Sequence, residues 1–280
     1  MLPRFLLDAV ARLTFLIVGW MCAGCVTRKT TNAERAASMK PYERMSVGSE
    51  SMHNYLLARA AFLIGAEQVK VLPEIKTSAT YRRNFRVQSS NVNCGTASAI
   101  RTDGYFLTAA HNIQGSAPHL AFYQDGRIQF YQSRVVWCGD VAKREPDLAI
   151  LHVPTRLKAV LEWAPEVERG MLAFAGGLDC EAGPKFKLVT LSGQVSGVAE
   201  PNWIHPGRTT IFHRSPVHVG DSGGPLVTDK GQLLGINVEL RPSSVFRGLR
   251  ATPLSVAHRP DVAWLKQVIE ADAAVRRQPN

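Results

Sequence analysis

The sequence predicts an all-β fold of two antiparallel β-barrels, with a helical segment before them and a helix after them. Three observations carry this expectation. From about Tyr81 the chain breaks into short runs of β-branched and aromatic residues divided by glycine, proline and Asp-Gly pairs, the pattern of strands joined by tight turns. A second series of such runs begins after the stretch from Pro154 to Pro165. Helical spacing of apolar residues marks one segment near each end of the chain.

Taken in order, Leu56, Leu57, Ala60, Leu63 and Ile64 recur at helical spacing, so Tyr55 to Val71 is expected to form an amphipathic helix that stops before Pro73. The first strand series comprises Val87, Ala97 to Arg101, Tyr105 to Thr108, His119 to Tyr123, Ile128 to Val136 and Leu148 to Val153, with Asp103-Gly104 and Asp125-Gly126 as hairpin signals. The second comprises Met171 to Ala175, Phe186 to Ser196, Thr209 to His213, Pro225 to Thr228 and Gln232 to Glu239. Pro260 to Val275 reads as a terminal helix with Val262, Leu265, Val268 and Ile269 on one face. The expected divisions are a signal segment over 1–25, a tether and amphipathic helix over 26–78, a first barrel over 79–160, a second over 161–258, and a helix and tail over 259–280.

The amino terminus points to export. Arg4 and Arg12 precede an apolar run from Leu13 to Met21, which has the length of a signal-peptide core and falls short of the roughly 20 residues a membrane span needs. Ala23-Gly24-Cys25 follows and resembles the end of a bacterial lipoprotein signal, which makes Cys25 the candidate lipidation site. The alternatives are cleavage as a soluble exported protein and a retained anchor or core helix. The expected location is therefore periplasmic, membrane-attached through an N-terminal lipid, or secreted. Composition is globular, with 45% apolar and 20% charged residues, which argues against disorder over most of the length. The net charge of +10 is scattered along the chain, so no nucleic-acid partner is expected. Beyond the signal lie Cys94, Cys138 and Cys180, with no metal-ligand spacing among cysteines and histidines. A Cys94–Cys138 bridge and three separate thiols both remain open.

Chemistry concentrates in Gly220-Asp221-Ser222-Gly223-Gly224-Pro225. A serine in such a turn can meet a carbonyl, but it needs a base, a group that orients the base, and donors for the developing oxyanion. Leu107-Thr108-Ala109-Ala110-His111 supplies a histidine at the end of an apolar run, and Pro146-Asp147-Leu148-Ala149-Ile150-Leu151 an aspartate entering another. The order His, Asp, Ser, at separations of 36 and 75 residues, resembles the chymotrypsin-like (trypsin-like) serine proteases.

That resemblance implies two six-stranded antiparallel barrels and peptide-bond hydrolysis through an acyl-enzyme on a protein or peptide substrate, with no cofactor and no metal. It assigns Ser222 as nucleophile, His111 as base, Asp147 as the orienting carboxylate, and the N–H groups of Gly220 and Ser222 as the oxyanion hole. It also implies that Asp221 pairs inside the protein, that a C-terminal helix packs on the second barrel, and that Pro216, Val217 and Asn237 line the substrate pocket. Where trypsins carry an aspartate this chain has Pro216, so preference for Lys or Arg is not expected; His213 and His218 raise recognition of acidic side chains instead. Val238 stands where many relatives have a serine. The 58 residues after Ser222 are expected to be used by the rest of the barrel and the helix, leaving no room for a PDZ domain. The competing function is a weak or inactive protease homologue acting as a binding module. An α/β-hydrolase is disfavoured because its triad runs Ser, Asp, His.

Overall fold

The computed structural model describes residues 49–65, 70–71, 87–88, 93–113, 117–178, 188–202, 207–241 and 254–277. The signal segment with Cys25, most of the expected tether, and Cys180 lie outside them. Helix α1 (Ser49–Leu57) is followed by β1 (Ala60–Gly65), β2 (Lys70–Val71), β3 (Val87–Gln88), β4 (Asn93–Arg101), β5 (Tyr105–Thr108), β6 (Pro118–Gln124), β7 (Arg127–Gln132), β8 (Arg134–Cys138) and β9 (Ala149–His152). All but β2 and β3, which pair with each other, form a seven-stranded sheet in the order β7-β6-β1-β4-β5-β9-β8. The second half, β10 (Leu172–Leu178), β11 (Leu188–Ala199), β12 (Arg208–His213), β13 (Pro225–Thr228), β14 (Leu233–Arg241) and β15 (Leu254–Pro260), is a closed barrel in the order β10-β11-β12-β15-β14-β13. Helix α2 (Val262–Arg277) completes the described chain.

The fold is all-β and chymotrypsin-like, with four differences of detail. The expected helix over Tyr55 to Val71 ends at Leu57, and Ala60–Gly65 is instead a strand between β4 and β6. Ala60, Ala61, Leu63 and Ile64 are all buried; a strand covered on both faces is a continuous apolar run, which periodicity cannot separate from a helix. The first half is a half-barrel sheet whose edges are β7 and β8, not a closed six-stranded barrel. Those edges come from the stretch expected as one strand: Ser133, at the break, donates from both its N and its Oγ to the Pro118 carbonyl at 2.9 Å. Strand β15, absent from the strand runs read in the sequence, closes the second barrel between β12 and β14. Cys94 and Cys138 are not bridged to one another.

Helix α2 lies against the first sheet, where the resemblance placed it on the second barrel. Asp261 Oδ1 caps it, accepting from Ala263 N at 2.7 Å and Trp264 N at 3.2 Å, as an N-terminal carboxylate should. Trp264 meets Trp137 of β8 edge-on at 4.8 Å. Asp272 accepts from Arg134 Nη2 at 2.7 Å and from the Tyr105 hydroxyl at 2.8 Å, while Arg276 Nη2 donates to that hydroxyl at 2.7 Å. Burial alone would raise the Asp272 carboxyl, but the bonds from Arg134 and Tyr105 outweigh it and hold the pKa below the usual carboxylate value.

Helix α1 packs the other way, against β11 and β10. Its end is fixed by Arg59, 3% exposed, which lies 3.6 Å from the Tyr55 ring centre and donates to Tyr55 O at 3.1 Å and Val160 O at 3.0 Å. Val160 belongs to the connection between the two halves, so one guanidinium ties the amino-terminal helix to that connection. Burial pushes this group down to about 10, still charged at neutral pH. Arg59→Ala should therefore cost about 2–4 kcal/mol by removing charge-assisted bonds and leaving buried carbonyls unpaired. Urea unfolding should show a lower midpoint at unchanged slope.

Candidate active site

Pairing of β5 with β9 brings two of the expected residues together. Thr108 is the register partner of Ala149, so the residues just after Thr108 face those just before Ala149. His111 and Asp147 occupy those positions. Ala109, Ala110 and Leu148 are fully buried around them, which anchors a 3-10 turn over Ala110–Ile113 and leaves the His111 side chain 40% exposed. Asp147 holds the histidine twice: Oδ1 accepts from His111 N at 3.0 Å, and Oδ2 lies 2.7 Å from Nδ1. A carboxylate can only accept, so a neutral ring here carries its proton on Nδ1 and keeps its lone pair on Nε2. Burial alone would raise the Asp147 carboxyl, but the His111 ring and N–H bonds lower it below the usual range.

Ser222 comes from the second barrel and is fixed by the first sheet. Its carbonyl accepts from Thr96 N of β4 at 2.8 Å and from Asn112 Nδ2 at 2.8 Å. Asn112 is the residue after His111, so one amide connects the histidine turn to the serine turn. Thr96 Oγ1 also donates to Gly220 O at 2.8 Å and Ser98 Oγ to Gly223 O at 3.0 Å. The serine turn lies so close to β4 that a Cβ at Gly223, whose φ is 87°, would overlap the Thr96 carbonyl. Gly220, with φ 100°, makes the turn that precedes the serine.

Within this turn the N–H groups of Asp221, Gly223 and Gly224 are bonded to His218 O, Asn237 O and Asp221 O respectively. Those of Gly220 and Ser222 are bonded to no described residue. Asp221 is buried, and its Oδ2 accepts from His218 N at 2.7 Å.

The remaining expected residues separate. Pro216 is exposed, whereas Val217 is buried in the core of the second barrel with Ile211, Leu226 and Ala257. Asn237 is fully buried directly behind the serine turn: it accepts from Gly223 N at 2.7 Å and donates from its own N to Gly224 O at 2.9 Å. Its Nδ2 donates to Pro225 O at 3.4 Å. The two histidines part company, since the His218 side chain is 64% exposed and His213 is fully buried. The polar groups beside the His213 ring are the Asn237 side chain and the Ser215 backbone. Burial pushes the His213 imidazole down to about 4, so it is neutral at pH 7. Val238 is buried in the apolar cluster shared by both halves.

Sequence reasoning missed Thr96 and Asn112. Asn112 carries the one readable signal, a polar amide beside the histidine in an otherwise apolar turn. Thr96 carries none, because its role is set by a contact 126 positions away in the chain. Among the described residues no cluster could hold a metal ion.

A family model described as trypsin-like peptidase domain matches residues 95–236, 142 of the 280. The span includes His111, Asp147 and Ser222. Among curated proteins the chain is similar to the magnetosome formation protease MamE of Magnetospirillum gryphiswaldense, 26% identical over 189 residues. The match covers 62% of this chain and 23% of MamE, so the chain spans about a quarter of that relative's length. Among solved structures it resembles the HtrA-type protease AlgW with decapeptide, with TM-score 0.57, 22% identity, and coverage of 80% of this chain and 68% of that one. It also resembles the Rv3671c protease from M. tuberculosis in its active form, with TM-score 0.53, 18% identity, and coverage of 78% and 82%.

Two outcomes follow from this geometry. Gly223→Ala should lower stability by at least about 2 kcal/mol in denaturant unfolding, since the left-handed φ and the Thr96 carbonyl both oppose a side chain. The lowered Asp147 pKa contributes stability that is present above the unfolded carboxylate value of about 4 and lost as pH falls through the folded value. Asp147→Asn should remove that part of the acid-side loss, seen as a smaller drop in urea midpoint across the same pH range.

Proposed function

Since the chain belongs to the trypsin-like peptidase family, serine-type hydrolases of peptide bonds, we propose that it is an endopeptidase whose chemistry is carried by Ser222, His111 and Asp147. The observation that supports this best is the double grip of Asp147 on His111, which fixes the ring with its Nε2 lone pair available, beside a serine turn joined to the same 3-10 turn through Asn112. Ser222 Oγ attacks the carbonyl carbon of the scissile bond and its proton passes to His111 Nε2. The tetrahedral intermediate expels the amine, which takes that proton and leaves an acyl-enzyme. Water then repeats the cycle: it gives a proton to Nε2, attacks the acyl carbon, and releases the acid as Ser222 recovers its proton. Asp147 stays ionised throughout and stabilises the imidazolium. The N–H groups of Gly220 and Ser222, engaged with no described residue, are the donors for the oxyanion.

A peptide substrate is in keeping with the decapeptide named in the AlgW structure. Export rests on the apolar run from Leu13 to Met21 and the Ala23-Gly24-Cys25 sequence after it; among the described residues no helix is long and apolar enough to cross a membrane. Attachment at the membrane through lipidated Cys25 is the form of export we favour.

A fluorophosphonate should label wild-type protein at Ser222 and leave Ser222→Ala unlabelled; equal labelling of both would sink the assignment. Asp147→Asn should lower kcat by about 10⁴-fold, the size expected when the histidine is held in the wrong tautomer, as measured on an unfolded protein substrate. In bacterial expression, Cys25→Ala should abolish incorporation of labelled palmitate and move the protein out of the membrane fraction.

A further inference from the structure

Basic side chains are scattered along the sequence, and the fold gathers a group of them at one end of the first sheet. Strands β5 and β9 pair with Thr108 opposite Ala149 at one end and Tyr105 opposite His152 at the other. His111 and Asp147 lie just beyond the first end; the second carries the charge. Arg101 and Arg276 place their Cζ atoms 5.6 Å and 5.3 Å from the Tyr105 ring centre, and Arg134 joins Arg276 on Asp272. The segment after β9 reaches the same end, because Leu157 N donates to Thr102 O at 2.7 Å. It is bonded in turn to the β6–β7 hairpin: Gln124 Nε2 donates to Arg156 O at 3.2 Å, Lys158 pairs with Asp125, and Arg127 opens β7. Arg277 closes α2 beside Arg276.

Seven cationic side chains thus stand with three carboxylates, Asp103, Asp125 and Asp272, each of which already pairs with one of them. Arg127, Arg156 and Arg277 are exposed and pair with no carboxylate among the described residues. Further back on α2, Lys266 and Glu270 cancel, and the described residues from 166 to 260, which include the second barrel, carry six basic and six acidic side chains. The positive excess of the described chain is therefore gathered at this end. Val275, 69% exposed, adds an apolar side chain beside Arg276 and Arg277.

We propose that this end is a docking face for an anionic lipid bilayer. Guanidinium groups bind phosphate well, and those here are spread over the turns of separate elements instead of converging on one point. A bilayer suits such a spread, because its headgroups are many, singly charged and free to move beneath each cation. The choice of a bilayer over another polyanion rests on the export reading above: the amino-terminal segment brings the chain to a membrane. An acyl chain on a tether holds a protein at the surface without fixing which way it faces, and a basic face supplies the second signal. Docked by this end, the molecule turns His111 and Asp147 away from the lipid, and Val275 can enter the headgroup layer.

The test uses the full chain, sedimented with vesicles of phosphatidylglycerol and phosphatidylcholine in equal parts. One variant carries Arg127→Gln, Arg156→Gln and Arg277→Gln. A control carries Arg169→Gln, Arg214→Gln and Lys230→Gln, exposed residues outside this face, so both lose the same net charge and keep the same amino terminus. Partitioning should fall about 100-fold in the first, near fivefold for each cation removed, and less than about threefold in the control. No loss in the first variant, or equal losses in both, overturns the proposal. Where the first variant does not fold, wild-type protein alone decides: its preference for these vesicles over pure phosphatidylcholine should collapse between about 0.05 M and about 0.5 M salt, as screening shortens the reach of each charge, and a preference that persists overturns it. A duplex oligonucleotide bound more tightly than the anionic vesicles at equal salt assigns the face to nucleic acid and overturns it as well. Loss of the vesicle effect with palmitate still entering at Cys25 overturns the docking face and leaves export standing; the effect without palmitate supports the face and removes the lipid.

Discussion

The arrangement depends on one carbonyl. Ser222 belongs to the second barrel, yet its main-chain oxygen takes both of its hydrogen bonds from the first sheet, one from the backbone of Thr96 and one from the side chain of Asn112. The same sheet carries the histidine on the turn after β5 and the aspartate at the entry to β9. Ser222 is thus referred to the frame that holds His111 and Asp147, and slippage between the halves would break bonds that water cannot easily replace in a buried seam. Gly223 is the steric counterpart of this contact, since it lets the two backbones touch.

Around that seam the packing is shared. One apolar cluster includes Tyr105, Leu107 and Ile150 from the first sheet, Phe174, Val227 and Ile236 from the barrel, and Leu56 and Leu265 from the two helices. Charges are confined to its rim and are satisfied there. Arg59 spends its donors on main-chain carbonyls and its face on Tyr55, and Asp272 is bracketed by Arg134 and Arg276 over the Tyr105 hydroxyl. In the interior of the barrel the polar groups are neutral: His213 is flanked by the Asn237 side chain and the Ser215 backbone, and Asn237 Nδ2 donates to the Pro225 carbonyl.

Much of this was legible in the chain. Strand positions such as Tyr105–Thr108 and Pro225–Thr228 coincide with runs visible by eye, because β-branched and aromatic residues bounded by turn formers have few other uses. The Asp147–His111 contact follows from short motifs whose backbone context is local. What was not legible is whatever depends on burial from both sides or on distant partners. The run from Ala60 to Ile64 has no polar face to reveal its period, and β15, carrying His258 and Arg259 among its residues, lacks the apolar run that would mark it. The break at Ser133 and the role of Thr96 are set by partners that only the folded chain brings near.

The two helices at the ends of the described chain give the molecule a property that neither half has alone. Helix α1 leads into the central strand of the first sheet but lies against the barrel, and α2 leaves the barrel but lies against the first sheet. Each half therefore wears the other's terminus as a strap. Loosening one half must also lift a helix from its neighbour, which couples the two into one cooperative melting unit. Folding to that state requires contacts between segments far apart in the chain, such as the bond from the Tyr105 hydroxyl to Asp272, which slows assembly.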